Sequence, residues 1–143
     1  MDSYRFNVNP VPASRPRVSR YGTYHLPTYR AFKAAMQEEI ATNRDTYNKW
    51  PSDQCLLVTV ACYVEKPKSS KRDRPRGDVD NYAKAVLDSL NEVLWEDDDQ
   101  ITILIAHKHY SEDPRIEVEV IPVTNDGQDA LPQMRGKRSR RKG

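Results

Sequence analysis

The residues of this chain best suited to chemistry lie in two acidic groups. Asp78-Val79-Asp80-Asn81 comes first, with Lys84 one turn further on, and Glu96-Asp97-Asp98-Asp99 follows. Carboxylates set this closely repel unless they share protons or hold a cation. Hard oxygen ligands of this kind suit Mg²⁺, with Mn²⁺ as a substitute. A basic segment carrying Lys66, Lys68, Lys71, Arg72, Arg74 and Arg76 delivers the chain to the first pair. Acids able to hold a metal, placed beside cations able to hold phosphate, point to a metal site that works on phosphate. Each piece also has a plain structural reading. Asp is a preferred helix cap, an acidic run makes a solvated turn, and Lys84 between Asp80 and Asp88 makes a surface ion pair worth about 0.3–0.5 kcal/mol. Their conjunction in one short stretch favours the metal reading.

The elements that must position these groups follow from periodicity. Residues 4–8 alternate apolar and polar and form an opening strand. Residues 13–25 form a polar loop in which Arg15, Arg17 and Arg20 interleave with Tyr21, Tyr24 and His25, a mixture suited to a nucleic-acid backbone. Residues 27–43 form a helix with Thr28 as cap, burying Tyr29, Phe32, Met36 and Ile40. Trp50, beside Pro51, is a core lid. Residues 55–64 are β-branched and apolar and make a central strand. The basic segment after it holds two prolines and two serines and reads as flexible and extended. A second helix runs from Asp80 to about Leu94 and buries Ala83, Val86, Leu87, Leu90 and Leu94. Residues 101–110 are apolar on both faces at first and read as an interior strand. Residues 115–121 alternate cleanly and read as its hairpin partner. His107 and His109 share one side of their strand as two zinc ligands could, with no further Cys or His motif in support.

Length and composition set the limits. At 143 residues the chain has room for one core. The apolar fraction of 37% against 31% charged predicts a thin core and favours an oligomer that shares burial. Net charge is only +2, yet 23 basic and 21 acidic residues fall in separate blocks, which bind phosphate and divalent cations respectively. Cys55 and Cys62 read as reduced packing residues of a cytoplasmic protein. No signal peptide and no membrane span is visible. The domain spans residues 1–123. Residues 124–143, with Arg135, Lys137, Arg138, Arg140, Arg141 and Lys142, form a basic, disordered tail that adds salt-sensitive affinity for nucleic acid.

Three segments taken together, Gly77-Asp78-Val79-Asp80-Asn81, Lys84-Ala85-Val86-Leu87-Asp88-Ser89-Leu90 and Trp95-Glu96-Asp97-Asp98-Asp99-Gln100, resemble the signature of the RusA-type Holliday junction resolvases, small and often prophage-encoded endodeoxyribonucleases. The resemblance runs in order over about residues 4–122. It implies an α+β fold, a small mixed sheet of about four strands with two main helices, and a homodimer. It also implies that Asp78 and Asp80 bind metal and that Lys84 is the active-site lysine. With Trp95 and Gln100 as fixed points, the third metal-binding and catalytic aspartate is Asp98. Three consecutive aspartates stand there, so Asp97 and Asp99 remain alternatives. Mg²⁺ as cofactor, a four-way DNA junction as partner and paired symmetric nicks by metal-activated water complete what the resemblance implies. DNA contact falls to Arg15, Arg17, Arg20, Lys71, Arg72, Arg74 and Arg76.

A straight helix from Asp80 to Leu94 rises roughly 20 Å, which would leave Asp98 at the far end from Asp78. Either the helix ends early and the chain doubles back, or a two-fold partner supplies the acidic cluster. Two rivals stand beside the nuclease: a non-catalytic DNA-binding protein of recombination or replication, and a glycosyl transferase using Asp-x-Asp to hold a metal–nucleotide. The basic segment and the short chain argue against the latter.

Overall fold

The computed structural model describes residues 2–15, 17–20, 22–24 and 26–132. It is an α+β fold: a four-stranded mixed sheet with two helices. The strands are β1 (Asp2–Phe6), β4 (Cys55–Glu65), β5 (Ile101–Ser111) and β6 (Arg115–Val123), in the spatial order β1-β6-β4-β5. β6 is antiparallel to both β1 and β4, and β4 is parallel to β5. A parallel pair needs a crossover, and the basic segment with helix α2 (Val79–Leu90) supplies it. That connection carries the whole acidic constellation.

The inner sheet face holds Phe6, Leu56, Val58, Val60, Ile116, Val118 and Val120, all buried. Onto it pack α1 (Pro27–Thr42), through Tyr29, Phe32, Met36 and Ile40 as its spacing predicts, and α2. Each such side chain contributes about 1.5–3 kcal/mol. Trp50 is a lid, as expected: it packs half-buried on this cluster and donates from Nε1 to Asp2 at 3.1 Å. Both cysteines are free thiols, and burial pushes that of Cys62 up to about 12.

Several local expectations are corrected. The cap of α1 is Leu26, with no side-chain bond, because Pro27 takes the first helical position, where its fixed φ suits the turn and no N–H is needed, which puts Thr28 inside the helix. The loop at 13–25 contains a short hairpin, β2 (Arg17–Ser19) with β3 (Gly22–Tyr24). α2 stops at Leu90, since Asn91 is extended and Glu92 takes a positive φ of 67°. The chain reverses there and folds Leu94 and Trp95 fully into the core. β5 is an edge strand, and β6 does not pair with it: residues 112–114 cross the end of β4 so that β6 joins β4 on its other side. An apolar run marks burial or an unpartnered edge equally well, and here Leu104 and Ile105 are 44% and 46% exposed.

After β6 the chain turns at Thr124–Gly127 and forms a short 3-10 turn, Gln128–Ala130. Of the tail expected over residues 124–143, residues 133–143, which carry all its cations, lie outside the described residues, as do Tyr21 and His25.

Candidate active site at the start of α2

Gly77 makes the corner that presents Asp78. Its φ is +95°, and a Cβ would meet Pro12 Cγ at 3.0 Å and the Tyr82 ring at 3.3 Å, so glycine is required. Asp78 is the N-cap of α2, but its carboxylate makes no capping bond. The plain reading of Asp78 as a helix cap is therefore not what the side chain does. Asp80, in the first turn, accepts the Asn81 N–H at 3.0 Å, and both acids are exposed. Lys84 lies one turn on, pairing with Asp88 at 3.7 Å on the exposed face.

The doubling-back at Glu92 brings the second acidic cluster to this helix. Within it the three aspartates have different jobs. Asp97 caps the 3-10 turn Asp98–Gln100, accepting from the Asp99 N–H at 3.1 Å, while Gln100 closes the capping box. Buried Gln100 accepts from the Glu96 and Asp97 N–H groups and donates to the Pro51 and Gln54 carbonyls. Asp99 is exposed. Asp98 is half-buried and accepts the Trp95 Nε1–H at 2.6 Å. Burial is the main cause that holds its carboxyl above the usual carboxylate range; the Trp95 bond lowers it, Asp88 and Asp97 raise it, and Lys84 lowers it. Asp98 thus feels Lys84 and Asp88 across the gap. Asp88, read from sequence only as a partner of Lys84, joins this acidic face.

Among the described residues, no three His, Cys, Asp or Glu side chains converge closely enough to hold a metal ion. Asp78, Asp80 and Asp98 are therefore not a closed cage within one protomer. His107 and His109 do face each other, Nδ1 to Nε2 at 2.7 Å, without a third ligand. The donor set at α2 nonetheless suits a hard divalent ion: all its ligands are carboxylate oxygens, and that of Asp78 is not committed to the helix.

The basic segment is pinned rather than loosely extended. Lys108 of β5 donates to the Pro75 carbonyl at 2.7 Å and to that of Gly77. Tyr82 donates to the Arg76 carbonyl at 2.7 Å, and burial, with Cys62 and Tyr110 adding, keeps its hydroxyl protonated by raising it to about 12. Sequence reading missed Lys108 and Tyr82; a lone lysine in an apolar strand was the available signal. Of the expected DNA-contacting cations, Arg15, Arg20, Lys71 and Arg76 are exposed, Arg72 is half-buried, and Arg74 pairs with its neighbour Asp73 at 2.8 Å. Arg17 lies in β2.

The family model for endodeoxyribonuclease RusA matches residues 7–121. The chain belongs to the RusA endodeoxyribonuclease family. A curated relative, the uncharacterized protein YqaN of Bacillus subtilis (strain 168), is 33% identical over 145 residues, covering 87% of this chain and 99% of its own. The match covers both helices, β4, β5 and β6 up to Ile121, so the family's segment includes the elements that position the acids. Among the described residues no helix is long and apolar enough to cross a membrane.

Proposed function

We propose that this family member is a Mg²⁺-dependent, structure-selective endonuclease that resolves four-way DNA junctions as a homodimer. The observation that carries the reading is the Asp78 carboxylate, placed at a helix start and left out of capping, with Asp98 turned back toward the same helix. A polar group half-buried against its own preference is a functional candidate. Asp78, Asp80 and Asp98 would hold the metal, which when bound polarises the phosphate and activates water. Lys84 sits where it neutralises charge on a phosphate at the helix start, and the helix N-terminus adds its own attraction for anions. Lys71, Arg72 and Arg76, with Arg15, Arg17, Arg20 and Arg74, hold the backbone of the strand. A purely DNA-binding protein would leave Asp78 free to cap α2.

The homodimer is supported by the edge of β5. Exposed Leu104 and Ile105 on a strand whose outer edge is unpaired need cover, and symmetric cuts on a junction need two equivalent sites. Because the acids do not close into a cage within one protomer, a second subunit that completes the set also accounts for the pairing. Asp80→Asn and Asp98→Asn subunits, mixed and assayed for nicking of a synthetic junction in Mg²⁺ or EDTA, test both points. Recovery of activity only in the mixture, and only in Mg²⁺, is expected for a shared site. Recovery in neither buffer places each site within one subunit, and activity in EDTA removes the metal mechanism.

A further inference from the structure

Next to the acids, and sharing Arg76 and Gly77 with the approach to Asp78, lies a cavity of about 1090 Å³. Its walls are largely apolar: Pro12, Pro67 and Pro75, with Tyr110 half-buried and Tyr82 almost fully buried. The walls are held in place. Tyr110 Oη lies 3.4 Å from Ser70 Oγ, Tyr82 holds the Arg76 carbonyl, and Lys108 holds Pro75 and Gly77. Three cations, Lys71, Arg72 and Arg76, line the same cavity, while Thr28, Ser69 and Glu65 supply donors and acceptors. Apolar plates that accept a planar ring, polar groups for its edge and cations for the flanking phosphates describe a nucleotide. Neither a bare phosphate nor an apolar ligand needs all three.

We propose that this cavity receives one base of the DNA strand whose phosphate lies at Asp78 and Asp80, turned out of the stack. The inference rests on the nuclease reading for the strand's position. Bases at a branch point are already poorly stacked, which lowers the cost of extrusion, and stacking on an aromatic side chain recovers part of it. Cations on the same loop fix the strand on either side, so the extruded base and the cut phosphate are held in register by one rigid segment, residues 66–78.

The test uses the full-length protein with four-way junctions carrying 2-aminopurine at each position near the crossover in turn, bound in EDTA. Thr28 is exposed on the first turn of α1 and lines the cavity, so T28W places an indole in the space a base would take without opening the core. With the natural protein, fluorescence should rise several-fold at one position, and T28W should abolish that rise. In Mg²⁺, T28W should nick ordinary junctions at least about tenfold more slowly, and an abasic nucleotide at the reporting position should relieve the defect. Y110A should weaken the fluorescence rise at that same position and slow nicking of ordinary junctions. No position that brightens, or brightening that T28W leaves intact, overturns the proposal. Nicking without extrusion would leave the nuclease standing and remove this inference; extrusion without nicking would do the reverse.

Discussion

Asp98→Asn separates what this side chain does for folding from what it does for chemistry. The amide keeps an oxygen for the Trp95 Nε1–H, now 2.6 Å from Asp98 Oδ1, and is nearly the same size. It removes a charge that burial disfavours and that Asp88 and Asp97 repel. The folded-state pKa of Asp98 is raised, so its favourable contribution is complete below the unfolded value near about 3.9 and is lost as pH rises through the folded value. Relative to Asn, wild type is therefore equally stable in acid and less stable above. Asp98 is only half-buried, and solvent screening holds the difference under about 1 kcal/mol, or about 2–4 °C in melting temperature. Thermal melts of both proteins in EDTA from pH 4 to pH 8 measure it. The variant should melt at or above wild type at pH 8, with the gap closing toward pH 4. Adding Mg²⁺ should raise the wild-type midpoint more than that of the variant. A variant that melts well below wild type at pH 8, with a gap that grows with pH, would show that the charge stabilises the fold and refute the reasoning.

Other outcomes follow from the same contacts. Gly77→Ala should cost about 1–3 kcal/mol through its left-handed backbone and the approach to Pro12, read as a loss of denaturation midpoint. Gln100→Leu orphans two N–H groups and two carbonyls and should cost about 3 kcal/mol or more by chemical denaturation. Lys108→Met should free the Pro75–Gly77 backbone, seen as faster amide exchange across residues 66–78, with slower nicking while the sheet stays protected. Lys71→Ala and Arg76→Ala should each lower the salt slope of junction binding by about one.

The periodic signals were the most legible in sequence. The buried stripe of α1 and the strands at 55–64 and 101–110 lie where their apolar spacing placed them, because packing a thin core demands that spacing. Pairing was less legible. Residues 101–106 are apolar on both faces, which a buried interior strand and an exposed edge awaiting a partner satisfy alike. Clean alternation in 115–121 fits any antiparallel neighbour, so it could not say that the neighbours are β1 and β4. The stop at Leu90 was hidden by Leu94, which continues the helical spacing yet reaches the core by reversal at Glu92. At the site, residue types and spacing singled out Asp78, Asp80, Lys84 and the acidic run at 96–99, and the family resemblance picked Asp98 from that run, while the different hydrogen bonds of Asp97, Asp98 and Asp99 are legible only in the structure. Lys108 stood out only as a lone lysine in an apolar strand, and its partners could not be named because they are backbone carbonyls, which no sequence pattern marks.

The most direct measurement is strand nicking of a synthetic four-way junction and of a matched linear duplex, by wild type and Asp78→Asn, alongside binding of each DNA. Wild type should cut the junction in Mg²⁺ and spare the duplex, while Asp78→Asn should bind the junction at least as tightly and leave it whole. Equal cutting by Asp78→Asn, or cutting that persists in EDTA, would contradict the assignment of metal-bound carboxylates at the start of α2.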